Sequence, residues 1–340
     1  MFGRFRVLFI FAVCLCAFGS QAQTQNAGSP VSTQSTARQR STTPMDELRK
    51  IVMFIKLTCE ENGKVYDVKG TGFLVSSHDA RLPADRQYFV YLITNRHVAL
   101  CLDDHGHPMT VRTISVLMNH NKEENGSFVA EEVMNSNGNV PWMLPDDDSV
   151  DLAALPFVPN RQIVDALYLS MEDDFATSDV IQQNRIGVGC SVFFAGLFYQ
   201  FPGSKKVSPI VRQGIIAMMP DEKIPFVSTP ERLYLADVHA FGGNSGSPAF
   251  VNIGGVRSGG VGFGGSSDYK LLGVINGLMT EDENFNLELT TTFKGTGAAN
   301  SGISTIVPAD DLKALINGSK LQAFRDRVVF NVTHRNAAGK

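Results

Sequence analysis

Apolar residues in this chain come in short runs, separated by clusters of Gly, Asn, Asp and Pro. Runs of that length between turn-forming residues read as strands. They fall at 51–58, 65–75, 87–95, 113–118, 128–133, 152–157, 187–195, 208–218, 233–238, 248–253 and 271–275. The pattern predicts an all-β protein. About a dozen short strands suffice for two six-stranded antiparallel β-barrels with a cleft between them. A helix is expected near 161–171, inside a long connection over 159–185, and the Gly-rich stretch 254–265 reads as a surface insertion.

The two ends differ from this middle. Arg4 and Arg6, an apolar run over 7–18 and the small-x-small site Ser20-Gln21-Ala22 have the layout of a signal peptide over 1–22. The run is too short to remain as a membrane span, so the expectation is a secreted or periplasmic protein with no stable membrane anchor. Residues 23–45 are rich in Gln, Ser, Thr and Ala and poor in large apolar side chains, which predicts a disordered linker or propeptide. One domain over 46–317 and a C-terminal tail over 318–340 account for the rest.

Net charge is −4, and no basic tract breaks the mildly acidic balance. Nucleic acid is therefore not an expected partner. Past residue 22 three cysteines remain, Cys59, Cys101 and Cys190. An oxidising compartment permits one disulfide among them and leaves one thiol over. Cys190 lies in an apolar strand and reads as a core residue.

The candidate chemistry begins at Gly242-Gly243-Asn244-Ser245-Gly246-Ser247-Pro248. Glycines around a serine let two backbone N–H groups, those of Gly243 and Ser245, converge on one point. That arrangement stabilises an oxyanion formed when the hydroxyl attacks a carbonyl. Upstream, Ile93-Thr94-Asn95-Arg96-His97 ends an apolar run in a histidine, and Asp151 opens the apolar segment Leu152-Ala153-Ala154-Leu155. The chain order His, Asp, Ser is the one that the chymotrypsin triad uses.

On these residues the chain resembles the chymotrypsin-fold, trypsin-like serine proteases. The Gly-Gly-Asn-Ser-Gly-Ser-Pro loop is most similar to their bacterial glutamyl-endopeptidase branch. Gly70-Thr71-Gly72-Phe73-Leu74-Val75, residues 187–196, 271–277 and 303–316 resemble the family's flanking strands and its last strand running into a C-terminal helix. The resemblance covers roughly 50–317. It implies a secreted serine endopeptidase acting on protein or peptide substrates without a cofactor or metal. Ser245 is then the nucleophile, His97 the base and Asp151 its orienting acid. It also implies a Cys59–Cys101 bridge, since those segments are neighbours in the family.

Specificity is less determined. His239, six residues before Ser245, and Asn276, Gly277 and Leu278 on the cleft strand are the candidate substrate-binding residues. The glutamyl branch carries a histidine where this chain has Ile275. Asn244 replaces the acid that in trypsin-type zymogens pairs with a freed N-terminus, so Ile51 is expected simply to begin the first strand. Asp146, Asp147 and Asp148 read as solvated loop acids, and His78, His105, His107 and His120 as surface histidines. The alternative function is a catalytically latent, protease-fold binding protein. An esterase reading lacks both the G-x-S-x-G elbow and the order Ser, Asp, His.

Overall fold

The computed structural model describes residues 44–102, 107–122, 128–132, 142–203, 206–226, 229–253, 269–288 and 292–338. The signal-peptide segment, the linker up to residue 43, His105 and the Gly-rich stretch 254–265 lie outside them. Among the described residues, no helix is long and apolar enough to cross a membrane.

The protein is all-β, with a closed six-stranded barrel and helices at its C-terminal end. The described residues open with α1 (Pro44–Ile51), which holds residues expected to be linker and includes Ile51; the first strand starts one residue later. The first sheet contains β1 (Val52–Glu61), β2 (Lys64–His78), β3 (Tyr88–Thr94), β4 (Thr110–Asn119), β5 (Phe128–Glu132) and β6 (Ala153–Pro156), in the order β5-β4-β1-β2-β3-β6. A seventh strand, β7 (Tyr168–Ser170), joins β2 in parallel. The second sheet closes as β12-β15-β14-β13-β8-β9, formed by β8 (Ser191–Gly196), β9 (Ile210–Met218), β12 (Tyr234–Asp237), β13 (Pro248–Asn252), β14 (Tyr269–Glu288) and β15 (Thr292–Pro308). A separate ribbon pairs β10 (Ile224–Phe226) with β11 (Thr229–Glu231).

Alternate side chains explain why these strands read as near-continuous apolar runs. Successive residues of a strand point to opposite faces, and here both faces are covered. On β1, Met53, Ile55 and Leu57 fill the interior of the first sheet, whereas Val52 and Phe54 enter the core it shares with the barrel. On β3, Leu92 goes inward, and Tyr91 and Ile93 go to the shared core. The barrel does the same: Val192 and Phe194 point inside, Phe193 and Ala195 outside, onto Phe250, Val274 and Val307. Cys190 packs only partly buried against the barrel interior, not fully within it.

Three expectations are corrected. The first sheet does not close into a second barrel among the described residues. The outer edge of β6 is occupied instead by Met143, whose backbone exchanges bonds of 2.7 and 2.9 Å with Ala154. The expected helix over 161–171 is a turn followed by β7. Tertiary contacts override local preference there, because Leu167 N–H bonds Lys50 O (3.0 Å) and Leu169 is fully buried in the shared core. The segment expected as a tail continues past α4 (Ala309–Asn317) as the 20-residue α5 (Ser319–Ala338). Its Leu321 is fully buried, and its Arg325 guanidinium donates to Ile316 O (2.7 Å) and the Tyr91 hydroxyl (3.2 Å).

Cys59 on β1 is disulfide-bonded to Cys101, 42 residues later, just beyond α2 (Arg96–Leu100). The bond ties the histidine-bearing helix to the first sheet. Closing a loop of that length restricts the unfolded chain, so Cys59→Ala/Cys101→Ala is expected to lose ~2–4 kcal/mol of stability by denaturant unfolding under oxidising conditions. An unchanged midpoint would show that the bond does not constrain the unfolded chain.

Candidate active site

The sharp turn after β3 starts α2, and it places His97 on its first turn with Val98 and Ala99 buried beneath. Asp151 immediately precedes β6 and meets His97 twice. Its Oδ1 accepts from the His97 backbone N–H (2.9 Å), and its Oδ2 lies 2.6 Å from Nδ1. Asn95 Nδ2 donates to Asp151 O (2.9 Å), fixing the backbone of the acid as well. With Asp151 on Nδ1, the imidazole leaves Nε2 as its free nitrogen. The surrounding protein opposes a charged ring, but the charge of Asp151, its hydrogen bond and the more distant Glu231 together raise the His97 pKa above its ordinary value.

Ser245 sits on the loop between β12 and β13, held from both sheets. Thr71 of β2 is fully buried; its N–H donates to Ser245 O (2.9 Å), and its hydroxyl donates to Gly243 O (2.8 Å) while accepting from Leu197 N–H (2.9 Å). At Gly246 (φ +86°) a Cβ would lie 2.0 Å from Thr71 O, so no other residue fits. Asn244 is buried and closes the loop on itself, accepting from Phe241 N–H and donating to Leu197 O, each at 2.8 Å. The loop at Asn244 is thus closed by neutral hydrogen bonds. Among the described residues the N–H groups of Gly243 and Ser245 have no acceptor, which leaves both amides uncommitted.

Gly70 brings the two halves together. A Cβ there would meet Val98, next to His97, at 2.7 Å and Ser245 O at 3.5 Å. The Ser245 hydroxyl donates to Asn276 O on β14 at 3.2 Å, not to His97. Asn276 is buried, and Phe226 of the ribbon lies 3.3 Å from where a Cβ of Gly277 would stand. Leu278, half-buried, pairs with Ser304 of β15. His239 is placed apart from these residues. Its exposed ring lies against Gly302 and opens on a polar recess of about 400 Å³ shared with Arg212 and Asp237.

The triplet of loop acids is paired out: Asp146 with Lys320 (2.9 Å), Asp147 with Lys223 (2.9 Å) and Asp148 with Arg96 (2.7 Å). Lys223 also donates to Ser149 Oγ (2.7 Å), which fastens the β10–β11 ribbon beside Asp151. That ribbon delivers a residue that the sequence reading missed. Glu231 accepts from Asn276 Nδ2 (2.9 Å), so it braces the residue whose carbonyl holds the serine hydroxyl. Burial, together with the nearby Asp151 charge, pushes its pKa up to about 7. No motif marks an acid between Pro230 and Arg232; only the folding of the ribbon brings it here.

No family model matches the chain, and no curated protein matches it. Among solved structures, the MamO protease domain from Magnetospirillum magneticum in its apo form is similar at 15% identity with a TM-score of 0.40, over 79% of this chain and 96% of that one.

Because Glu231 adds negative charge near His97 once it ionises, Glu231→Gln is expected to lower the pH at which the His97 ring titrates, followed by NMR of the imidazole protons. The variant is also expected to be flatter in stability than the wild type between pH ~5 and ~8. The raised Glu231 pKa means that burial of its charged form costs stability as pH rises through about 7. A His97 titration that stays in place or moves upward would show that Glu231 does not act on the ring.

Proposed function

We propose that the chain is an extracytoplasmic serine endopeptidase of the trypsin-like class. The observation that carries this reading is the doubly bonded Asp151 behind His97, set beside a serine loop whose Gly243 and Ser245 amides are both uncommitted. A hydroxyl needs a base to take its proton and donors to receive the charge that forms on the substrate oxygen, and on this reading His97 and the two amides take those roles.

On this reading Ser245 Oγ turns from Asn276 O toward Nε2 of His97 and attacks the scissile carbonyl. His97 accepts the proton at Nε2, and Asp151 remains ionised and stabilises the imidazolium. The oxyanion is received by the two amides. His97 then returns the proton to the leaving amine, and a water repeats the sequence to release the acyl group. The raised His97 pKa helps the ring to take the serine proton and sets the acidic limit of activity. Within the class, the Gly-Gly-Asn-Ser-Gly-Ser-Pro loop relates the chain to the glutamyl-endopeptidase branch. Ile275, where that branch has a histidine, separates it from that branch's way of meeting an acidic residue.

A latent, protease-fold binding protein is the second reading. It is favoured by one observation, the bond from Ser245 Oγ to Asn276 O, which keeps the hydroxyl off the base. An organofluorophosphonate probe separates the two. Labelling of Ser245 in the wild type, located by peptide mass spectrometry and lost in Ser245→Ala and His97→Ala, is the expected result. A folded wild type that stays unlabelled would support the latent reading.

A further inference from the structure

The nucleophile loop has two flanks of opposite electrostatic character. On one, β14 supplies Ile275, whose carbonyl accepts from Gly246 N–H (2.9 Å), and Asn276, which is braced by Glu231. On the other, β2 and the end of β8 meet the loop through Thr71 and Leu197. A cavity of about 650 Å³ opens on this second flank and reaches Gly242 and Gly243 beside the oxyanion amides.

Two cations line that cavity. Lys69 Nζ lies 4.5 Å from the centre of the Tyr199 ring, and Arg212 Cζ lies 4.4 Å from that of Phe241. Among the described residues neither side chain forms an ion pair and no acid lines this cavity, although Asp237 shares with Arg212 the separate recess beside His239. The Arg212 Nε is buried without a hydrogen-bond acceptor. The aromatic faces hold both side chains in place while leaving their N–H groups free. In a protein of net charge −4, two unneutralised cations facing one cavity are a local feature and not a property of the whole surface. Lys56, the cross-strand partner of Lys69, is exposed and adds a third positive charge near the same edge.

We propose that this cavity receives the leaving-group side of the substrate and selects a carboxylate there through Lys69 and Arg212. The proposal rests on the protease reading. A substrate running along β14 passes the serine and continues onto this flank, so the cations meet residues just after the scissile bond. The carboxylate has two possible sources, an acidic side chain in the first residues after the cut or the C-terminus of a short substrate. A guanidinium and an ammonium lining one cavity together make charge-assisted hydrogen bonds to a carboxylate that a neutral amide cannot replace.

The test uses one parent peptide that the wild type cleaves, made in three forms: Gln in the second position after the cut with an amidated end, Glu there with an amidated end, and Gln there with a free C-terminus close by. The expected result is a rise in kcat/KM of roughly tenfold for at least one carboxylate form over the neutral amide. Preference for the Glu form assigns the site to a side chain; preference for the free acid assigns it to the chain end. Lys69→Met/Arg212→Met is expected to bring the ratio close to one, and Lys69→Glu/Arg212→Glu to favour a lysine form of the same peptide. Calorimetry of leaving-group peptides with Ser245→Ala reads the same preference without turnover. Equal rates and equal affinities for all three forms in an enzyme that the fluorophosphonate labels would overturn this proposal and leave the protease reading intact. Absence of both labelling and cleavage would overturn both.

Discussion

The site depends on one buried residue. Thr71 belongs to the first sheet, but its backbone N–H and its hydroxyl make three hydrogen bonds to the loop that carries Ser245 and the strand end behind it. Its carbonyl accepts from the Thr94 hydroxyl on β3 (2.8 Å) and approaches Gly246 so closely that a Cβ could not be accommodated. Each such bond is worth only ~1 kcal/mol net, but leaving one member unpaired in a dry interface costs about 1–3 kcal/mol. The set therefore forms as a unit. The Ser245 loop takes its shape from bonds to the first sheet, so the inter-sheet core of Phe73, Tyr91, Ile93, Phe250 and Val274 also holds that loop in place.

Electrostatics divides the same cleft. On one flank Asp151 and Glu231 raise the His97 pKa, and burial with the Asp151 charge raises that of Glu231, whereas Lys69 and Arg212 line a cavity on the opposite flank that holds no acid. On the proposed function, charges so arranged orient a peptide more than they tighten its binding. Asn276 joins the two functions at the centre. Its carbonyl holds the serine hydroxyl and its amide holds Glu231, so a change at either end of that pair is felt at the other.

Much of this was legible in the chain. The strands were readable because most are covered on both faces and so carry unbroken apolar runs. His97, Asp151 and Ser245 were readable because each sits in a local motif whose backbone geometry the residues themselves dictate. What escaped depends on contacts distant in sequence. β7 is a strand only because Leu169 inserts into the shared core and β2 offers an edge. Among the described residues the first sheet stays open, and Met143 takes the outer edge of β6. Glu231 reaches the site only through a two-stranded ribbon with no sequence signature, fastened by Lys223 to Asp147. The helix α5 reads weakly because its polar and apolar residues do not segregate into clear faces, yet Arg325 and Leu321 anchor it.

The central claim is that Ser245, His97 and the two loop amides act on one carbonyl. A crystal structure of the protein with a peptide boronic acid tests it directly, since the tetrahedral boronate imitates the oxyanion intermediate. The account predicts boron bonded to Ser245 Oγ, the hydroxyl released from Asn276 O, and one boronate oxygen within hydrogen-bond distance of both the Gly243 and Ser245 N–H groups. Boronate bound elsewhere, or Ser245 Oγ still on Asn276 O with the inhibitor in the cleft, would contradict it.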